Sequence, residues 1–136
     1  MDFSKNREEM MEKKTWAVVG VTAKRDRFGY KIWKILQKHG YEVYGVNPNY
    51  DEIEGEKIYH NLKELPKMVD VIDIVVSPKH GTKTLDEAKE LDIEYIFFQP
   101  GSYDNELVKK ADELGLKYLI NDCVYAILKQ KERIDS

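Results

Sequence analysis

The residues best suited to chemistry gather between positions 20 and 31. Gly20, Val21 and Thr22 close an apolar run, and a helical pattern opens at Gly29. A glycine lets main chain approach a bound group closely. Thr22 adds a hydroxyl, and the first amides of a helix carry partial positive charge. Together these features cradle a phosphate. Lys24, Arg25, Arg27 and Lys31 face one anion, Asp26, so the stretch 24–31 is net +3 in a chain of formal charge -3. A cationic loop at a helix start suits a small, highly phosphorylated ligand; a solvated charged loop would carry the same residues. Gly20 and Gly29 do not make a Gly-x-Gly-x-x-Gly fingerprint, and the Gly-Lys-Ser/Thr of a Walker A loop is missing.

Other reactive types are sparse. His39, His60 and His80 lack metal-binding spacing. His80, just beyond Pro78, is the one near a ligand edge. A single cysteine, Cys123, excludes an internal disulfide and a multi-cysteine zinc site. It falls at a strand exit, where its thiol either reaches a ligand or sits buried and inert. No Ser-His-Asp order and no carboxylate pair stands out, so catalysis is not expected. The chain has 136 residues, 42% hydrophobic and 35% charged. That length suits one domain, 1–136. Its acidic balance argues against a nucleic-acid binder. No apolar run approaches the ~20 residues of a membrane helix, and residues 1–14 lack a secretory apolar core. A cytoplasmic protein is expected.

The elements that must position these residues alternate. A helix is predicted over 4–14 with Ser4 as cap and Met10 and Met11 as docking points. Strands are predicted over 15–20, 41–46, 71–76, 93–98 and 116–120. Helices are predicted over 29–39, from Ser77 and Pro78 to about 91, over 104–114 with Asp104 as cap, and over 124–133. Residues 47–56 read as turns and 61–65 as a short helix closed by Pro66. Trp16 and Trp33 read as core, while Tyr30 either stacks on a ligand or packs. Repeated strand and helix with short links specify an α/β fold: a Rossmann-like, doubly wound, five-stranded parallel sheet of order 3-2-1-4-5, with an extra N-terminal helix. In such sheets ligands sit beyond the carboxyl ends of the strands. Those ends carry Gly20 to Thr22, Asn47 and Pro48, Val76 to Pro78, Gln99 to Gly101, and Asn121 to Cys123. An NAD site places Asp or Glu at the end of strand two; Asn47 stands there, which disfavours NAD and leaves a 2′- or 3′-phosphorylated adenosine open.

These residues resemble the small stand-alone CoA-binding domain proteins, which are similar to the CoA-binding domain of the succinyl-CoA synthetase alpha subunit and of ADP-forming acyl-CoA synthetases. The marks are residues 16–22, Gly29 and Tyr30, 39–43, 46–48, 53–59, 71–75, 99–101, and Asp122 with Cys123. Together they span roughly 15–127. The family often has Pro after that Cys and Arg before it; here Val124 and Asp122 stand in those places. The resemblance implies coenzyme A at the strand exits. Gly20, Val21 and Thr22 would meet its diphosphate, with Lys24, Arg25 and Arg27 as cations. Asn47 and Pro48 would lie beside the nucleotide, Val76, Ser77 and Pro78 along adenine and ribose, and Gln99 and Gly101 nearer the pantetheine arm. The expectation is non-catalytic binding of CoA or acyl-CoA, as carrier or sensor, with no membrane or nucleic-acid partner, in a chain that forms a homo-oligomer or joins a partner protein. The alternatives are an NADP-dependent oxidoreductase fragment and an interaction subunit with a vestigial nucleotide pocket.

Overall fold

Short runs of β-branched and aromatic residues, closed by glycine or proline, form the sheet. In the computed structural model, which describes residues 2–135, they are β1 (Thr15–Val19), β2 (Glu42–Val46), β3 (Glu52–Ile53), β4 (Glu56–Tyr59), β5 (Val71–Ile74), β6 (Tyr95–Phe98) and β7 (Lys117–Leu119). The helices are α1 (Phe3–Glu12), α2 (Phe28–Lys38), α3 (Pro78–Glu90), α4 (Asn105–Glu113) and α5 (Val124–Asp135). Met1 and Ser136, the two ends of the expected 1–136 domain, lie outside the described residues.

The sheet has seven strands, in the order β3-β4-β2-β1-β5-β6-β7, not five in the order 3-2-1-4-5. The difference has one origin. Residues 56–59 lie parallel beside β2, with Ile58 opposite Gly45 and Tyr59 opposite Val46. They occupy the position expected for the 71–76 run. That run becomes β5 and moves across β1, placing Val71 beside Trp16. β3 and β4 form a hairpin on Glu54 and Gly55, both at positive φ (52° and 80°). Such a two-residue turn matches the twist of its strands. Every strand pair except β3–β4 is parallel. The chain leaves β1 toward β2 and leaves β5 toward β6, so the direction of winding reverses between β1 and β5. That reversal opens a crevice above the strand ends.

Strand alternation sends Ala17, Val19, Ile72, Ile74, Ile96 and Phe98 to one face, against Leu85 and Ala88 of α3 and Leu107 and Ala111 of α4. Trp16, Val18, Val71 and Phe97 go to the other, against Met10, Ile32, Trp33, Leu36 and Leu128. Trp16 and Trp33 are core residues, as expected. α1 is capped by Asp2, whose carboxylate accepts from the Lys5 amide at 3.1 Å, so the cap lies two residues before the expected Ser4. The helix is polar, yet it docks. Met10 is fully buried, and buried Asn6 donates from Nδ2 to the Tyr118 carbonyl at 2.9 Å. At the far end of α2, His39 Nε2 meets Glu132 of α5 at 2.7 Å, which ties α2 to α5. Among the described residues no helix is long and apolar enough to cross a membrane.

Met10 is the apolar anchor that holds α1 to the sheet. Met10→Ala is expected to cost about 2–5 kcal/mol of stability. Urea denaturation followed by circular dichroism measures it, and a cost below the resolution of that curve would mean that α1 is not packed as described.

Candidate functional site

The rim over the β1–β5 reversal is built chiefly from main chain. Gly20, at φ 109°, donates its N–H to the Val46 carbonyl at 2.9 Å, and the Val75 N–H donates to the Val19 carbonyl at 2.9 Å. A Cβ on Gly20 would stand 3.0 Å from Val76 Cγ1 and 3.1 Å from the Val76 nitrogen. Gly29 is tighter still: a Cβ there would stand 2.2 Å from the Gly20 carbonyl oxygen. The start of α2 therefore rests directly on the exit of β1. Asn47 closes the third side, donating from Nδ2 to the Val21 carbonyl at 2.8 Å and accepting from the Asn49 amide at 2.8 Å. Gly20, Asn47 and Val76 are thus joined at one edge of the sheet.

Two helices begin at this rim from opposite faces, and neither start is capped by a side chain, although the Tyr30 and His80 amides turn back to the Arg27 and Ser77 carbonyls and Pro78 has no N–H to offer. The cap of α2 is Arg27 and that of α3 is Ser77; neither makes a side-chain capping hydrogen bond, and neither first turn holds an acid. Such ends attract anions. Lys24, Arg27, Ser77, Lys79 and His80 are all exposed there, as is Pro48. Pro78 is half-buried and occupies the first turn of α3.

Other predicted site residues are already engaged. Thr22 Oγ1 shares a hydrogen bond with Tyr50 Oη at 3.1 Å and accepts from the Lys24 amide at 3.3 Å. Thr22 holds the Tyr50 phenol below its usual range, with help from the Ala23 backbone and the Lys24 charge. Arg25 is paired with Glu54 at 3.1 Å. Glu54 also accepts from Tyr30 Oη at 2.8 Å and meets Lys34 Nζ at 3.4 Å. Tyr30 packs edge-on against Trp33, ring centroids 6.0 Å apart, so it packs locally. Val21 is fully buried, which leaves only its main chain for a ligand. Cys123 is half-buried, and its amide donates to Asp122, itself 3.4 Å from Arg7 of α1. His60 binds Asp51 and Glu64, which raise its pKa. A hollow of about 230 Å³ beside the rim is lined by Arg25, Tyr30, Lys31, Lys34 and Tyr125, among others. A larger one, about 650 Å³, lies along α5 alone.

Gln99, expected nearer the pantetheine arm, turns its side chain inward. It is only 2% exposed, and its Nε2 donates to Asp73 Oδ1 at 2.5 Å beneath the rim. Its main chain, not its side chain, serves the edge. The Gln99 carbonyl accepts from the Ser102 amide at 3.0 Å and from Ser102 Oγ at 2.7 Å, which forms the tight turn bearing Pro100 and exposed Gly101. Asp73, on β5, is fully buried, and burial pushes its carboxyl up to about 8 against the opposing pull of the Gln99 bond. Sequence reasoning passed over Asp73, Tyr50 and Glu54. The signal for Asp73 was an acid inside an otherwise apolar strand; Tyr50 and Glu54 sat in a segment read only as turn.

A strand order reversing at a glycine-seated helix defines a Rossmann-like α/β domain. The chain belongs to the CoA binding domain family, whose model matches residues 14–129. It is 28% identical over 118 residues to the uncharacterized protein YneT of Bacillus subtilis (strain 168), covering 87% of each chain. It is 30% identical over 119 residues to the acetate–CoA ligase [ADP-forming] II subunit alpha of Pyrococcus furiosus, covering 79% of this chain but 26% of that subunit. Among solved structures, a hypothetical protein from Pyrococcus horikoshii OT3 superposes with TM-score 0.86 at 33% identity, over 100% of this chain and 94% of the other.

Two measurements test this geometry. Gly29→Ala is expected to cost about 1–3 kcal/mol, because backbone must move aside for the methyl; an unchanged melting temperature would refute the close seat of α2. The second concerns Asp73. An unfolded aspartate titrates at about 3.9, so between there and about 8 the folded chain keeps a proton that the unfolded chain has lost. Asp73 therefore makes stability fall as pH rises through that window and level off above it. Melting temperatures taken across the window should decline less steeply in Asp73→Asn than in the wild type, and equal slopes would contradict the burial-driven shift.

Proposed function

We propose that this chain binds coenzyme A or acyl-CoA along the rim, as a carrier or sensor of the cofactor and not as a catalyst. The observation that carries the reading is the pair of uncapped helix starts, α2 and α3, flanking Gly20 at the reversal of the sheet. CoA carries a diphosphate and a phosphomonoester, the latter with about −1.5 to −2 charge near neutrality. Amides at the two helix starts would take the diphosphate beside Gly20, Val21 and Thr22. Asn47 and Pro48 would flank the nucleotide, with Val76, Ser77 and Pro78 along its other side and Gly101 toward the pantetheine arm. Membership of the CoA binding domain family supports this reading, as does similarity to a subunit of an ADP-forming acetate–CoA ligase. Residues 1–136 would work as one domain, in the cytoplasm.

The cations divide into two kinds. Lys24 and Arg27 stand exposed at the start of α2, and this reading gives them to the phosphomonoester. Arg25 would first have to leave Glu54. A charge-assisted hydrogen bond is worth about 1.5–3 kcal/mol, so losing the 3′-phosphate should weaken binding by about tenfold or more. Calorimetry comparing CoA with dephospho-CoA tests this directly. Equal affinities would remove the role of the cationic loop, and no binding of either would remove the reading itself. Replacing both Lys24 and Arg27 by alanine should narrow the gap between the two ligands.

A further inference from the structure

Asp73 and Gln99 are adjacent on β5 and at the exit of β6, both closed off from solvent, in the layer formed by Trp16, Val18, Val71 and Phe97. Gln99 Nε2 donates to Asp73 Oδ1 at 2.5 Å. The second oxygen of each group, Asp73 Oδ2 and Gln99 Oε1, is buried without a hydrogen-bond partner. Two orphaned acceptors in one side-chain pair are a costly arrangement, since a buried polar atom without a partner has lost its water and gained nothing in exchange. One proton removes both vacancies. Placed on Asp73 Oδ2 it supplies a donor, and Gln99 Oε1 is the acceptor left to receive it. A carboxylic acid and a carboxamide are then joined by two hydrogen bonds in a closed ring.

We propose that Asp73 is a neutral acid that donates from Oδ2 to Gln99 Oε1, and that this ring makes it a positioning residue for the ligand rim. The chain connections explain how it acts. Asp73 precedes Ile74, whose carbonyl receives the Gln99 amide at 3.1 Å. Two residues beyond Asp73, Val75 is bonded to β1 through the Val19 carbonyl, and Val76 abuts Gly20. Gln99 itself anchors the turn that carries Gly101. The ring therefore fixes the exit of β6 relative to the crevice between β1 and β5. Its effect on ligand binding rests on the reading of that rim as a CoA berth; the position of the proton does not.

The test has two readouts. Infrared spectroscopy of the ligand-free protein at neutral pH should show the carbonyl band of a buried protonated carboxyl, where an ordinary aspartate is ionised, and Asp73→Asn should lose that band. Asparagine can still donate to Gln99 Oε1 and accept from Nε2, so Asp73→Asn should keep CoA affinity to within about threefold. Asp73→Ala leaves Gln99 unpaired and should weaken CoA binding by about tenfold. If Asp73→Ala does not fold, the infrared band and the Asp73→Asn affinity still decide the matter. Absence of the band overturns the neutral acid. Loss of CoA binding in Asp73→Asn comparable to that in Asp73→Ala overturns the positioning role, because it would mean that the charge is needed. A wild-type protein that shows the band but binds no CoA overturns the CoA reading and leaves the proton assignment standing.

Discussion

The contact between Gly29 and the Gly20 carbonyl is the constraint on which the rim depends. There is room for a hydrogen at Gly29 and for nothing larger. The start of α2 is thereby held in direct contact with the exit of β1. The same close seat brings Val21 under Asn47, which reaches back to the Val21 carbonyl. It also lets β5 bring Val76 against Gly20. A side chain at Gly29 would push α2 off the exit of β1, and one at Gly20 would press on Val75 and Val76; either would disturb the crevice. The chemistry of the site thus begins with packing, and electrostatics follow from it.

The charge around this crevice is less lopsided than the loop 24–31 alone suggests. Glu54 sits at the tip of the β3–β4 hairpin at φ 52°. From there it meets Arg25, Lys34 and the Tyr30 hydroxyl, and these partners hold its carboxyl below the ordinary range, the Tyr30 hydrogen bond foremost. One hairpin residue therefore offsets part of the positive field that the loop creates. Exposed ion pairs of this kind are worth no more than about 1 kcal/mol. They bias the loop toward the hairpin without locking it there.

Most of the scaffold was legible because local signals and tertiary needs agreed. Asp104 caps α4 through the Leu107 amide, Pro78 opens α3, and the apolar runs became central strands. The strand order was misread because β3 and β4, at one end of the sheet, are short strands rich in Glu and Lys. Only Ile53 and Ile58 in them are buried. Two buried residues in six strand positions give no strand period to detect, and pairing with β2 decides the outcome instead. The rim glycines and Asn47 were legible as loop chemistry. The partners of Thr22 and Arg25 were not, since Tyr50 and Glu54 arrive from a hairpin that the sequence reading treated as turn. Gln99 was read as a rim residue because a Gln-Pro-Gly exit looks like a loop; the pleat points its side chain inward to Asp73.

The two walls of the crevice consequently differ in stiffness. On the side of β5 and β6, Asp73 is fully buried between Val18 and Phe97 in the sheet register, and burial rather than a neighbouring charge sets its ionisation. An ionised carboxylate there would need a countercharge to offset its desolvation. The neutral acid needs only the amide of Gln99, and breaking that bond would strand buried polar atoms. On the side of α2 and the hairpin, the links are the exposed Arg25–Glu54 and Lys34–Glu54 pairs. Rearranging them exchanges one set of solvated contacts for another at small cost. A phosphorylated ligand entering the crevice would therefore meet a fixed floor at β5 and β6 and an adjustable wall of cations. Fit to such an anion would be a property of that adjustable wall, while the fixed floor would hold the helix starts in register.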